Sequence, residues 1–234
     1  MKGEFFYLFF DFCTIRDCPY LYKEVDLFRL NMAIIWYIMN ISMFGRGIMR
    51  AFDFDNTIYD GESVFDFYLF SIRYNPRVAK YIPIVFFNLF KYKLGKTTMQ
   101  DLEQAVKKYS RDYLDSFDNK EELVSIFWDK NIKKIKPWYQ PRKDDIIITA
   151  SLNLIMDELC KRLGIENCIC SVINRDTMEV EYLNFRDNKR KTFVEMYKDK
   201  PIDEFYTDNM VDKPMIDIAK SAYFVKGNKI KKIK

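Results

Sequence analysis

Short, almost unbroken apolar runs recur along the chain at Met49 to Phe54, in "DIIIT" (145–149), around Cys168 to Ile173, in "IDEFYT" (202–207) and in "AYFV" (222–225). Runs of this length predict strands buried on both faces. After the second run, Leu152, Ile155, Met156, Leu159 and Leu163 fall at helical spacing, and Gly164 follows as a stop. The turn-like "NRDT" and Val180 to Leu183 predict a hairpin return after the third. Strands alternating with helices imply an α/β fold, a Rossmann-like parallel sheet covered on both sides.

Between the first two strands the period changes to that of helices, over 64–141. Val64, Tyr68, Leu69 and Ile72 share one face. Met99, Leu102, Val106 and Tyr109 share another, with Thr98 and Asp101 spaced as a capping box. Asn119 and Glu122 are placed to cap a helix carrying Leu123, Ile126 and Phe127. The insert is expected to form a helical cap over the strand ends, with "YIPIVFFNLFKYKLG" (81–95) in its core rather than facing lipid. Residues 1–48 read differently. "FFYLFF" and "NMAIIWYIMNISMF" are apolar but fall short of the roughly 20 residues that cross a bilayer. Asp11, Glu24 and Asp26 also spoil a signal-peptide reading.

Composition narrows the chemistry. The 234 residues are 49% hydrophobic and 31% charged, which suits a globular core, and contain no histidine. Ser-His-Asp and Cys-His catalysis and histidine zinc sites are therefore excluded. Five cysteines without framework spacing imply a reducing cytoplasm, and packing is favoured over metal binding for Cys168 and Cys170. The net charge of +4 is spread along the chain, so no nucleic-acid partner is expected. The basic run Lys226 to Lys234 reads as a solvated tail.

Carboxylates mark the candidate chemistry. In "AFDFDNTIYDGES" (51–63), Asp53 and Asp55 project to the same side of an extended chain at a strand end. Two such carboxylates repel, and a divalent cation would relieve them. Thr149 ends the second strand, and Ala150 and Ser151 open the next helix, where free N–H groups and the helix dipole favour a phosphate. Ser151 either offers its amide to that phosphate or caps the helix, the cap being preferred. Asp208, Asn209 and Asp212 follow the "IDEFYT" strand. Lys189 and Lys191 both lie at a helix start, and Phe193 and Tyr197 fall on the face of Lys189, turning it toward the core.

"DFDNT", "IIITAS", "NKRK" and "FYTDNMVD", in that order over Met49 to Lys229, resemble the four motifs of the haloacid dehalogenase superfamily. The helical insert is similar to the cap of its phosphoserine-phosphatase-like subgroup. The resemblance implies a core formed by 49–63 and 142–234, a cap over 64–141, and a Mg²⁺-dependent phosphomonoesterase working through an aspartyl-phosphate. It implies Asp53 as nucleophile and Asp55 as general acid and base. Thr149 then donates to a phosphoryl oxygen, and Lys189 reaches the nucleophile. Mg²⁺ falls to Asp53, the Asp55 carbonyl and Asp208. Thr57, Asp212 and Asn209 stand behind them, and Glu62 resembles a carboxylate that binds a substrate amine. "NFRDNK" lacks the glycine that often precedes the lysine in the family.

The implied substrate is a small phosphorylated metabolite, a sugar phosphate or a lipid phosphate; membrane contact is not favoured. A phosphotransferase of the same chemistry and a non-catalytic membrane-associated scaffold are the alternatives. The joint presence of Asp53, Asp55, Thr149, Lys189 and Asp208 counts against the scaffold. Because the family's first strand usually lies near the N-terminus, residues 1–48 are read as an upstream extension from a misplaced start at Met1 rather than Met49. The alternative is a peripheral arm.

Overall fold

β1 (Arg50–Phe52) is the central strand of the sheet. In the computed structural model it pairs in parallel with β2 (Ile146–Leu152) on one side and with β5 (Ile202–Thr207) on the other. The structure describes residues 47–81, 83–84, 87, 99–198 and 200–234, without the side chains of 99–100, 102–103 and 105–106. The segment up to residue 46, Thr98, most of 81–95, and the side chains of Met99, Leu102 and Val106 thus lie outside the described residues.

β3 (Asn167–Ile173), β4 (Val180–Tyr182), β6 (Ala219–Lys226) and β7 (Lys229–Lys232) complete a seven-stranded sheet of order β4-β3-β2-β1-β5-β6-β7. Only the edge strands β4 and β7 are antiparallel to their neighbours. Alternation along the central strands splits the core in two. Phe52 and Ile147 face one layer, while Ala51, Ile146 and Ile148 face the other. The second layer is closed by Phe193 of α5 (Asp187–Tyr197) and Met215 of α6 (Lys213–Ile218). Burial on both faces is why these strands read as continuous apolar runs. The chain leaves β1 for β2 on one side and later returns to the other side of β1 as β5. The carboxyl end of β1 therefore sits at a topological switch point, where open α/β sheets bind ligands.

The first layer contains α4 (Asn153–Leu163) and much of the insert. The insert's helices are α1 (Ser63–Ser71), α2 (Met99–Leu114) and α3 (Lys120–Asn131). Leu123, Val124, Phe127 and Trp128 of α3 share one hydrophobic cluster with Phe54 and with Leu154 and Ile155 of α4. The Trp128 indole donates to the Ile155 carbonyl at 2.8 Å. Each large apolar side chain so buried contributes about 1.5–3 kcal/mol. Asn119 caps α3, accepting from the Glu122 amide at 3.1 Å while its own amide donates to the Glu122 carboxylate at 2.8 Å. Gly164 ends α4 with φ 69°, and Ile165 N–H reaches back to the Cys160 carbonyl at 2.9 Å.

Three expectations need correcting. The buried face of α1 is Ser63, Phe67, Phe70 and Ser71, whereas Val64 and Leu69 are exposed. The helix is rotated because Phe67 and Phe70 both pack edge-on against Phe127. The strand after Asp145 does not stop at Thr149 but runs on to Leu152 through an irregularity opposite β3, so the helix opens at Asn153. The run Lys226 to Lys234 is not a loose tail. Gly227, with φ 58°, makes a two-residue turn between the paired Lys226 and Lys229, and β7 closes the sheet. A lysine-rich edge strand resists further strand pairing.

Candidate active site

The loop after β1 is folded tightly on itself. The amides of Thr57, Ile58 and Tyr59 all point at the Phe54 carbonyl, at 3.2, 2.9 and 3.0 Å, and Asn56 N–H meets the Gly61 carbonyl at 3.0 Å. Asn56 takes φ 56°, a conformation its short polar side chain tolerates. Gly61 has φ 144°, a backbone conformation that residues with a side chain rarely adopt, and a Cβ there would also displace Asp66 Oδ2, 2.7 Å away. The end of the insert returns to brace this loop. Asp60 N–H donates to the Lys134 carbonyl and Lys136 N–H to the Ile58 carbonyl, both at 2.8 Å.

This fold brings the Asp53 carboxylate, 7% exposed, against Lys189, 5% exposed. Lys189 Nζ lies 2.7 Å from Asp53 Oδ1 and 2.9 Å from an oxygen of Asp212. Thr207 fixes Asp212 in turn, donating to its Oδ2 at 2.9 Å. Lys191 is exposed, so of the two lysines only Lys189 reaches the carboxylates. Its helix starts after Arg186, which takes φ 52° without the benefit of glycine. Such a φ strains a residue that carries a Cβ.

Thr57 joins the two strand ends. Its hydroxyl lies 3.1 Å from Asp53 Oδ2 and 3.4 Å from Asp208 Oδ1, and it accepts from Asp208 N–H at 2.9 Å. Asp55 is held separately: Ser63 N–H donates to its Oδ1 at 2.7 Å and Ser151 Oγ to its Oδ2 at 2.9 Å. Ser151 therefore does not cap α4, whose N-cap is Leu152 with no side-chain bond. The extra strand residues carry Ser151 to Asp55 instead. Thr149 is buried; its Oγ1 accepts from Ser151 N–H at 3.1 Å, and its carbonyl accepts from the fully buried Asn184 at 3.0 Å. The Asn209 side chain is turned away, accepting from Val211 N–H at 3.0 Å, so only its main chain, on the Thr207 hydroxyl, supports the site. Glu62 is exposed on the rim and bonded to the Asn56 amide at 2.6 Å.

Negative charge is crowded here. Burial pushes Asp53 up to about 7; Lys189 pulls it down, while Asp212 and Asp55 push it further up. Burial also raises Asp55, against the Ser63 amide, and Asp208, against the Thr57 hydroxyl. Burial works against the charge on Lys189, but Asp53 and Asp212 outweigh it and raise its pKa. Lys136 was not singled out by its lysine-rich sequence context. It is buried with its ammonium on the Asn56 carbonyl; burial lowers its pKa, and Asp60 and Asp208 oppose that. Ser63 and Asn184 also carried no sequence signal, because their roles depend on partners distant in the chain, and Thr207, whose partners Asn209 and Asp212 are close by, was not singled out either.

Among the described residues no three acidic or thiol side chains converge as a metal site. What converges is the Asp53 and Asp208 carboxylates on a shared threonine hydroxyl, an all-oxygen donor set with more negative charge than Lys189 balances. Mg²⁺ keeps several waters and needs few protein ligands, so this set fits it. Cys168 and Cys170 pack beside Cys160 against the first core layer.

The model of the haloacid dehalogenase-like hydrolases matches residues 51–217. No curated protein matches the sequence. Among solved structures, a protein of unknown function from Bordetella pertussis Tohama I superposes with a TM-score of 0.54 at 13% identity, covering 74% of this chain and 87% of that one. A probable phosphoserine phosphatase from Vibrio cholerae, in unliganded form, gives a TM-score of 0.51 at 14% identity, over 74% of this chain and 55% of that one. At these identities the likeness is one of fold.

Proposed function

The chain belongs to the haloacid dehalogenase-like hydrolases, and on that footing we propose that it is a phosphomonoester hydrolase that uses Mg²⁺ and forms an aspartyl-phosphate on Asp53. The observation that carries this reading is the buried Lys189 ammonium, 2.7 Å from Asp53, beside the Asp53–Thr57–Asp208 cluster. A nucleophilic carboxylate, a fixed cation and a second carboxylate at the next strand end are what phosphoryl transfer requires.

Asp53 attacks phosphorus, with one of its oxygens steadied by Lys189. Asp212 and Thr207 keep that lysine charged and aimed. Asp55 stands apart from the lysine, held by Ser63 and Ser151, and passes its proton to the leaving oxygen. In the second half it takes a proton from the water that releases phosphate. Thr149, within β2 just before its irregularity, donates to a phosphoryl oxygen. Asp53, Asp208 and the Asp55 carbonyl would hold Mg²⁺, which neutralises the charge of the transferring group. The insert, 64–141, serves as the cap, with Glu62 and Asn56 on the rim that meets the alcohol part of the substrate.

The substrate class is a small phosphorylated metabolite, with phosphoserine, sugar phosphates and lipid phosphates as members to compare. No helix among the described residues is long and apolar enough to cross a membrane. The test is phosphate release over such a set, with Mg²⁺ and with EDTA. Release that needs Mg²⁺ and is lost in Asp53→Asn supports the reading. Release that persists in chelator or in that variant refutes it. Transfer to an added alcohol in place of water would mark a phosphotransferase.

A further inference from the structure

We propose that Ser63 and Ser151 act as one positioning pair that aims the Asp55 carboxyl at the departing oxygen; this rests on the phosphatase reading above. Asp55 touches both residues at once. The Ser63 amide holds Oδ1 at 2.7 Å, the Ser151 hydroxyl holds Oδ2 at 2.9 Å, and the two hydroxyls lie 2.7 Å apart. Both serines are buried, at 0% and 1% exposure, so water does not compete for these bonds.

Each carboxyl oxygen offers two lone-pair directions. One on each oxygen is used for holding, and the others remain for the transferred proton. Either serine hydroxyl can donate to the other, so the pair can follow Asp55 between its acid and base forms without moving a heavy atom. Ser63 is the first residue of α1, at the junction where the core segment passes into the insert, and Ser151 belongs to β2 of the core. The general acid is therefore set only when the first turn of the insert is seated on the sheet.

The step balances within the site. As the bond from Asp53 to phosphorus forms, the bond from phosphorus to the leaving oxygen breaks and Asp55 gives that oxygen its proton. Water then attacks phosphorus, the Asp53 bond breaks, and Asp55 recovers a proton from the water.

A residue that aims the acid matters only where the leaving group needs a proton. The experiment compares kcat/KM for phenyl phosphate and 2,4-dinitrophenyl phosphate in wild type, Ser151→Ala, Ser63→Ala and the double variant, all with Mg²⁺. The expected result for Ser151→Ala is a loss of about 10- to 100-fold on phenyl phosphate and less than about threefold on the dinitrophenyl ester, which departs unprotonated. Because the hydroxyls act as a unit, the double variant should lose no more than Ser151→Ala. Ser63→Ala keeps the Ser63 amide and the Ser151 hydroxyl on Asp55 and carries the test, with a smaller loss of the same kind, should Ser151→Ala fail to fold. Equal losses on the two esters, or none, overturn the proposal while leaving the phosphatase reading intact. Absence of phosphate release from either ester in wild type overturns the reading on which it rests.

Discussion

Raising the pH should destabilise the metal-free protein, and Mg²⁺ should reverse the effect. The sign follows from Asp53, whose pKa is raised by burial from 3.8 to about 7 in the folded state. The folded protein holds that proton more tightly than the unfolded chain. Its stabilising contribution is therefore full below about pH 4 and is lost as pH rises through about 7. At about 1.4 kcal/mol per unit, the Asp53 shift is worth on the order of 4 kcal/mol, a little over half of which falls between about pH 5 and pH 7.5. Asp55, Asp208 and Glu62 are raised in the same direction and add to the loss. Asp203, lowered by its bond to Lys220, works in the opposite sense but only in the acid range. Near pH 7.5, Mg²⁺ at about a hundred times its dissociation constant should return about 2.7 kcal/mol. Near pH 5 it should return far less, because protons hold the same oxygens. Urea unfolding followed by tryptophan fluorescence, in EDTA and in Mg²⁺, measures these differences, and Asp53→Asn should flatten the pH dependence. Equal or rising stability between the two pH values in EDTA would refute the reasoning, as would an unchanged slope in Asp53→Asn.

Other substitutions separate the parts of the site. Asp55→Asn should lower turnover by about 10²- to 10⁴-fold while Asp53 can still be phosphorylated by an ester with a good leaving group; steady-state and single-turnover kinetics report the two effects. Lys189→Met leaves the Asp53 and Asp212 carboxylates buried without their cation and should cost about 3–5 kcal/mol in urea unfolding, whereas Lys191→Met at an exposed position should cost under about 0.5 kcal/mol. Arg186→Gly relieves a positive φ and should stabilise the protein by about 1 kcal/mol in the same assay.

The sheet was legible because its central strands are buried on both faces and so announce themselves as apolar runs. Asp53, Asp55 and Asp208 stood out as candidates because each lies at the end of such a run. Lys189 could be separated from Lys191 by the helical face it shares with Phe193, which is buried in the second core layer. What failed to show was whatever depends on long-range partners. Ser151 reads locally as a helix cap, but an irregularity in β2 extends the strand and hands its hydroxyl to Asp55. The apolar stripe of α1 pointed to Val64 and Leu69, yet the larger Phe67 and Phe70 find Phe127 and rotate the helix. Lys226 to Lys234 has the composition of a tail, and only the turn at Gly227 and the open edge of β6 make it a strand. Ser63, Asn184 and Lys136, which brace the candidate site from positions far along the chain, carry no local pattern at all.

The central claim is that Asp53 is the atom donor to phosphorus. The measurement that tests it most directly is acid-quench mass spectrometry on Asp55→Asn mixed with 2,4-dinitrophenyl phosphate and Mg²⁺, followed by peptide mapping. Slow breakdown in this variant should let one phosphoryl group accumulate on the peptide containing Asp53, with none in Asp53→Asn or in EDTA. A phosphoryl group on any other residue, or ester hydrolysis with no trapped phosphoenzyme, would contradict the account.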